Sequence, residues 1–517
     1  MEEDEERDGL RSAVFEALAD ERWRDAMLLV ERGFGALLAF EPAIIRTVAD
    51  ALPEAELHRR PRWIGLRQYV HHLLTSPSKP PVFPEADPRA LDHLEAGDRV
   101  GLLTGRAAAL RTRGMFAEAA AAAEDARDAL QRLDDADRAE LEPFLPTLMT
   151  QWGATFAAAG ELPAAIDVLL GAASLAERTG SLRAEMEALG ELAWINAAAG
   201  EGAHADRCIA RADALRRRHP DVQRIRGGLA LAKAYRASDA LDVERAIALL
   251  DGHEESFEEL GIIAASLRSI LGARARSADP VDMLSRLEVE VENSPAPRTA
   301  SGLNAAFVAI GRATLLSYQG LHEAAILALD ACPALPRPAT GVLRTRRAVA
   351  LLGLGELDAA VREASRETSS VAPRARTEAL VVRAAALLRL GNHASAVTSF
   401  RLACELSEEH GLRASLSVVP ATDLGALGAA AGLPPAAELV AARDVLTPSP
   451  SYRYERLSPQ QLAVVRALVD HEQVAQAASA LGLSPNTVKT HLQAAYRRLG
   501  ATDRTSALEE AGRRGLL

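Results

Sequence analysis

Lysine is almost missing from this chain: Lys79, Lys233 and Lys489 are the only three among 517 residues, against 56 arginines. A phosphate-binding loop needs Gly-x-x-x-x-Gly-Lys followed by Ser or Thr. The three lysine contexts, SPSKPP, ALAKAYR and TVKTH, all fail that requirement, which excludes a P-loop nucleotidase. Cysteine is equally scarce. Cys208, Cys332 and Cys404 are odd in number, widely spaced and without metal-ligand spacing, so they read as small buried hydrophobes in a reducing compartment. Aromatic residues make up 4%, while the 48% hydrophobic content is dominated by Ala and Leu, which favours close-packed helices over β-sandwiches. No run of about 18 uncharged apolar residues occurs, so no membrane partner is expected. The start MEEDEERDGL is acidic from Glu2 to Glu6 and cannot be a secretory signal, which leads to the expectation of a cytoplasmic protein. HExxH, GxSxG and CxxC are absent, and neither His58 nor the His71–His72 pair has a companion that would argue for a metal. Short β-runs alternating with helices, as a receiver domain requires, are missing too. The expectation is therefore no catalytic residue, no metal, no cofactor and no enzyme.

What the chain does contain is a repeated phrase. Between about residue 10 and residue 440, a helix, a Gly-centred turn and a second helix opening on Ala-rich residues recur. Examples are RTRGMFAEAAAAAEDA at Gly114, FAAAGELPAAIDVLL at Gly160, INAAAGEGAHADRCI at Gly200, SYQGLHEAAILAL at Gly320, LLGLGELDAAVREA at Gly355 and LLRLGNHASAVTSF at Gly391. The spacings are 46, 40, then 35 and 36, and the gap from Gly200 to Gly320 divides into three units of about 40 with degenerate turns near Ser238 and Ala278. Such a period resembles the tetratricopeptide repeat, which stacks helix pairs into a superhelix. Small Ala and Gly let helices approach, and larger Leu or Phe fill the space beyond. Trp194, Tyr235 and Tyr318 fit packing roles better than a ligand cage. LADERWRDAMLLVERGF around Trp23 reads as another helix pair.

TSPSKPPVFPEADP, with five Pro in fourteen residues, interrupts this pattern, and TPSPSYRYE precedes a different terminal unit. The chain thus divides into first helical repeats (1–74), a Pro-rich loop or linker (75–88), the main repeat array (89–446), a linker (447–456) and a terminal domain (457–517).

In that domain, LGLSPNTVKTHLQAAYRRLG frames one helix of about four turns. Ser484 suits the N-cap, Pro485 the first helical position, and Gly500 the left-handed end. Val488, Leu492, Ala495 and Leu499 fall on one buried face. Asn486, Lys489, Thr490, Gln493 and Arg497 fall on the other, with amides, a hydroxyl and cations suited to base edges and phosphates. Ser458 with Gln461 predicts a capping box for a preceding helix, Pro459 to Asp470, with Leu462, Val465, Leu468 and Val469 as its apolar face. A short helix from Gln473 to Leu481 turns Val474, Ala477, Ala478 and Leu481 inward, and a last one from Asp503 to Arg513 adds Ala507 and Leu508. From Ser451 onward the balance is +3, against −15 for the first 450 residues, so the basic excess lies at this motif.

Residues 457 to 508 resemble the LuxR-type (GerE-like) four-helix DNA-binding domain of bacterial transcription regulators. Leu483, Ser484, Thr487, Val488, Lys489, His491, Leu499, Gly500 and Arg504 sit in register with its pattern. Gln460 and Gln461 stand where Arg and Glu are usual, His471 where a helix-ending Gly is usual, and Gln476, Ala477 and Ala478 where the family has EIA. The resemblance implies base-edge contacts from Lys489, Thr490 and Gln493, and phosphate contacts from Thr487, His491, Arg497 and Arg504. Residues Ala51 to Val70 and Ser417 to Leu433 resemble parts of the signal-sensing superhelix of large activators in this family.

The fold expected is all-α: a tetratricopeptide-like repeat superhelix followed by a four-helix LuxR-type helix-turn-helix domain. The function expected is a transcription regulator whose body senses a small-molecule, peptide or protein effector and controls promoter binding. Its partners would be double-stranded promoter DNA, bound as a homodimer, and RNA polymerase. The alternative is a protein-interaction scaffold whose terminal domain is degenerate for DNA binding.

Overall fold

The computed structural model describes residues 2–74, 96–222, 225, 227–253, 257–275, 278–336, 339–433, 457–513 and 516–517. Among these residues the chain is helical throughout and contains no strand. The Pro-rich segment 75–88 and the linker 447–456 lie outside the described residues. No helix is long and apolar enough to cross a membrane among those described.

Among the described residues, nine antiparallel helix pairs carry the body. They are Glu2–Ala19 with Trp23–Arg32, Ala96–Thr112 with Phe116–Gln131, Leu145–Ala159 with Leu162–Thr179, Leu182–Ala199 with Gly202–Arg218, and Gly228–Asp239 with Val243–Asp251. Gly261–Arg274 with Pro280–Asn293, Gly302–Tyr318 with His322–Asp330, Thr340–Gly353 with Leu357–Ser365, and Pro373–Arg389 with His393–His410 complete the series. Eight of the nine turns share one hydrogen-bond pattern. The N–H of the residue after the turn donates to the carbonyl five positions back, at 2.8–3.0 Å, as from Glu161 to Phe156, Asn392 to Leu387 and Asp242 to Ala237. This bond captures a carbonyl the helix end leaves orphaned, and it requires a left-handed residue just before the donor. All six glycines expected at turns take that conformation. Glu21 at φ 56° and Leu241 at φ 68° take it without glycine. Leu241 is the degenerate turn expected near Ser238, displaced by three residues.

Helices within and between pairs meet through small side chains. On Phe116–Gln131, Ala119, Ala123 and Ala126 are fully buried at i, i+4 and i+7, and Ala165, Leu169, Ala172 and Ala176 line the matching face of Leu162–Thr179. Methyl-sized contacts let helix axes come to the short end of the usual 8–10 Å range. Trp194, Tyr235 and Tyr318 are buried, in keeping with packing, and they also border a central cavity. The three cysteines, expected as buried, are only half-buried, and none forms a disulfide among the described residues. Burial still pushes the Cys404 thiol up to about 11.

The superhelix closes on itself. Leu182–Ala199 meets Pro373–Arg389, and Leu145–Ala159 meets Gly302–Tyr318. At the first junction Arg374 donates to the Ala197 and Ala198 carbonyls at 2.7 and 2.8 Å and grips both Asp239 oxygens at 2.6 and 2.9 Å. Gly200 sits beside it at φ 91°, where an added Cβ would lie 2.6 Å from the Arg374 nitrogen. Gly391 has a similar φ of 80° but open space around it. Gly391→Ala should therefore cost only the left-handed strain, about 1–2 kcal/mol, while Gly200→Ala also forces the junction apart and costs more. Denaturant melts of the two variants check this, and equal losses would mean that the junction tolerates the clash.

Candidate nucleic-acid interface

Residues 457–513 build a small four-helix unit from Pro459–Asp470, Val474–Ala480, Pro485–Leu499 and Arg504–Arg513. The first helix opens on the expected capping box: Gln461 N–H donates to Ser458 Oγ at 3.3 Å and Ser458 N–H to Gln461 Oε1 at 2.9 Å. Gln476 does similar service for the second helix, its Oε1 accepting from Gln473 N–H at 3.4 Å. Glutamines at these positions thus still satisfy the free N–H groups of a helix start. At His471 the chain leaves the helix extended, φ −127° and ψ 118°, so no non-glycine residue is forced into the left-handed region.

Pro485–Leu499 is framed as expected. Thr487 N–H donates to Ser484 Oγ at 3.1 Å, and Gly500 closes the far end at φ 70°, with Ala501 N–H donating to the Tyr496 carbonyl at 2.9 Å. Val488, Leu492, Ala495 and Leu499 are buried. Val488 and Leu492 pack with Val464, Leu468, Ala477 and Ala478, while Ala495 and Leu499 pack with Val465, Ala507, Ala511 and Leu516. One apolar expectation is corrected. Val464 is buried where Val469 was expected, and Val469 is 56% exposed, because the face meeting the third helix runs through 461, 464, 465 and 468.

The opposite face is open. Lys489, Thr490, Gln493 and Arg497 are exposed, along with Asn486. Lys489, Gln493 and Arg497 form no hydrogen bond or ion pair among the described residues, and Thr490 Oγ1 donates back to the Asn486 carbonyl at 3.0 Å. Thr487 and His491 are half-buried at the edge of this face, and the Thr487 hydroxyl lies 2.8 Å from the Ser484 Oγ. The helix carries no acidic residue, so nothing on it opposes an approaching phosphate.

Arg504 is placed differently from the rest. Its guanidinium donates to the carbonyls of Leu468 and Glu472 and so secures the end of the first helix, where no left-handed cap residue is present. Arg498, which sequence reasoning did not single out, donates to Gln461 Oε1 at 2.6 Å and braces the first helix against the third. Its position in the basic last turn was the available signal.

The comparisons with known proteins bear on this unit. Residues 455–511 match the family model GerE, described as bacterial regulatory proteins, luxR family. These residues form a LuxR-type helix-turn-helix domain. No curated protein shows a significant match to the chain. The LuxR-type domain supports a DNA-binding transcriptional regulator, and it accounts for the split between an aliphatic inner face and a polar outer face on Pro485–Leu499.

Two outcomes follow for the scaffold of this domain. Arg504→Ala should cost about 1–3 kcal/mol by stranding two carbonyls, and hydrogen exchange should show faster amides in the last turn of Pro459–Asp470; unchanged exchange would leave Arg504 without a bracing role. Asp503 accepts from the Ser506 backbone N–H at 2.8 Å and from its hydroxyl at 3.0 Å, which holds its carboxyl below the ordinary range. Its support for Arg504–Arg513 is present above the ordinary carboxylate pKa and fades as pH falls through the lowered value. Amide protection of that helix should decline on acidification in the native protein and lose that pH dependence in Asp503→Asn.

Proposed function

We propose that this protein is a transcription regulator that reads promoter DNA through the outer face of Pro485–Leu499 and whose helical repeat body senses an effector or protein partner. The observation that carries the reading is the row of exposed side chains Lys489, Thr490, Gln493 and Arg497 on a helix whose reverse side is locked by three others. On a major groove, Lys489 suits guanine and Gln493 adenine, with Thr490 between them. Thr487 and His491 flank the row and, with Arg497 at its far end, would meet phosphates. Arg504 is retained as a phosphate contact only if it lets go of the first helix, so it stands last among these residues.

The scaffold alternative rests on the departures from the family pattern in the first two helices. Their structural cost is small: Gln461 and Gln476 make the capping contacts, and His471 leaves the helix without strain. None of them touches the outer face. DNA binding is therefore the better-supported reading.

A homodimer would place two such helices on half-sites roughly 34 Å apart, with Arg504–Arg513 as the dimer contact that family resemblance implies. An effector that favours one arrangement of the superhelix would change whether two terminal domains are presented together. RNA polymerase would then be the partner that reads the result. The test is retardation of duplex DNA selected from a random pool by the full chain. Lys489→Ala should weaken binding by about 1–3 kcal/mol with the fold intact and relax the preference for guanine at its position; unchanged affinity and unchanged base preference across several salt concentrations would sink the assignment of this face.

A further inference from the structure

The first helices of successive pairs converge on a central cavity of about 170 Å³, bounded by residues from Leu162 to Val418. Its walls are mainly apolar, with Trp194, Ile270 and Phe307 among them. Three arginines also border it, and their pairing is unequal. Arg374 holds the Asp239 carboxylate, and Arg346 reaches both Glu378 oxygens at 2.8 and 2.9 Å. Arg274 has no carboxylate partner among the described residues. It is 8% exposed, and among the described residues its Nε has no hydrogen-bond partner and its one hydrogen bond runs from Nη2 to the Ser417 hydroxyl at 2.7 Å.

A cation removed from water without a counter-ion is costly, by several kcal/mol in ordinary circumstances. Its place at the C-terminal end of Gly261–Arg274 offsets part of this through the helix dipole. Three of the cavity's hydroxyl groups are also unsatisfied among the described residues. Ser266, Thr314 and Ser415 line it, each is more than nine-tenths buried, and each hydroxyl oxygen lacks a partner among the described residues. Buried hydroxyls are normally paired. Three such groups and one cation without a carboxylate partner among the described residues border a single, mainly apolar cavity.

We propose that this cavity binds a small organic carboxylate, its acid group on Arg274 and its apolar body against Trp194, Ile270 and Phe307. The hydroxyls of Ser266, Thr314 and Ser415, each free to rotate about one bond, would take polar substituents. The proposal rests on the sensing role given to the repeat body and deepens it by naming the ligand's chemistry. Because the cavity lies between the two arms that Arg374 joins, an occupant would bear on how the superhelix closes.

The test uses the full chain and a matched pair of probes, 2-naphthoate and its uncharged amide, 2-naphthamide, titrated calorimetrically. The native protein should prefer the carboxylate by roughly tenfold or more. Arg274→Gln should still take the amide but lose the preference, and Arg274→Lys, which keeps the charge, should retain part of it. Equal affinities in the native protein, no binding of either probe, or a preference that survives in R274Q would each overturn the proposal; the first two decide it even if R274Q fails to fold. DNA retardation without any probe is measured alongside. A chain that selects naphthoate but ignores DNA would keep the site and remove the regulator reading, whereas one that shifts DNA without selecting the anion would remove the site alone.

Discussion

Arg374 carries its guanidinium out of water into a cage of four acceptors: the two Asp239 oxygens and the carbonyls of Ala197 and Ala198. The carbonyls belong to the last turn of Leu182–Ala199, where orphaned acceptors and the negative end of the helix dipole await a cation. The Tyr235 ring lies 5.5 Å from the same guanidinium. Burial alone would weaken the proton's hold on Arg374, but Asp239 outweighs it and the pKa is raised. Removing one partner from such a cluster strands the other, a loss of about 3–5 kcal/mol in comparable buried pairs. The closure of the superhelix, the wall of the central cavity and the tight approach at Gly200 all depend on this cluster.

The repeat was legible because each turn has a local cause. Gly114, Gly160, Gly200, Gly320, Gly355 and Gly391 mark places where the backbone must turn left-handed, and all of them do. Glu21 and Leu241 turn the same way without announcing it, since the i to i−5 hydrogen bond sets the conformation and glycine only makes it easier. Closure could not be read. Asp239 and Arg374 are 135 positions apart, and no short-range pattern distinguishes them from other charged residues on helix surfaces.

The terminal domain was more readable still, because its caps and its 3.6-residue stripe agree. Ser458, Ser484 and Gly500 fall where expected, and Val488, Leu492, Ala495 and Leu499 are all buried. The miss at Val469 has a plain origin: Leu462, Val464, Val465, Leu468 and Val469 crowd more than one side of a 12-residue helix, and only the partner surface decides which side faces in. Arg504 shows the same limit. Its register agreed with the family pattern, but its contact with Leu468 and Glu472 depends on how the first helix ends. The cavity residues were harder: Ser266 and Arg274 share their helix with Arg268 and Ser269, and nothing local sets them apart until Thr314 and Ser415 are seen beside them.

Each helix pair ends itself through its own turn, so a chain of this design could gain or lose a pair at most places and keep its local geometry. Between Leu182–Ala199 and Pro373–Arg389 that freedom disappears. Four pairs separate those helices, and Arg374 can find the Ala197 carbonyl only if the number and pitch of the intervening pairs are right. The junction therefore counts repeats: an insertion or deletion of one pair inside the loop would move the arginine off its acceptors by the width of a helix or more, while the same change outside it would leave the ring closed.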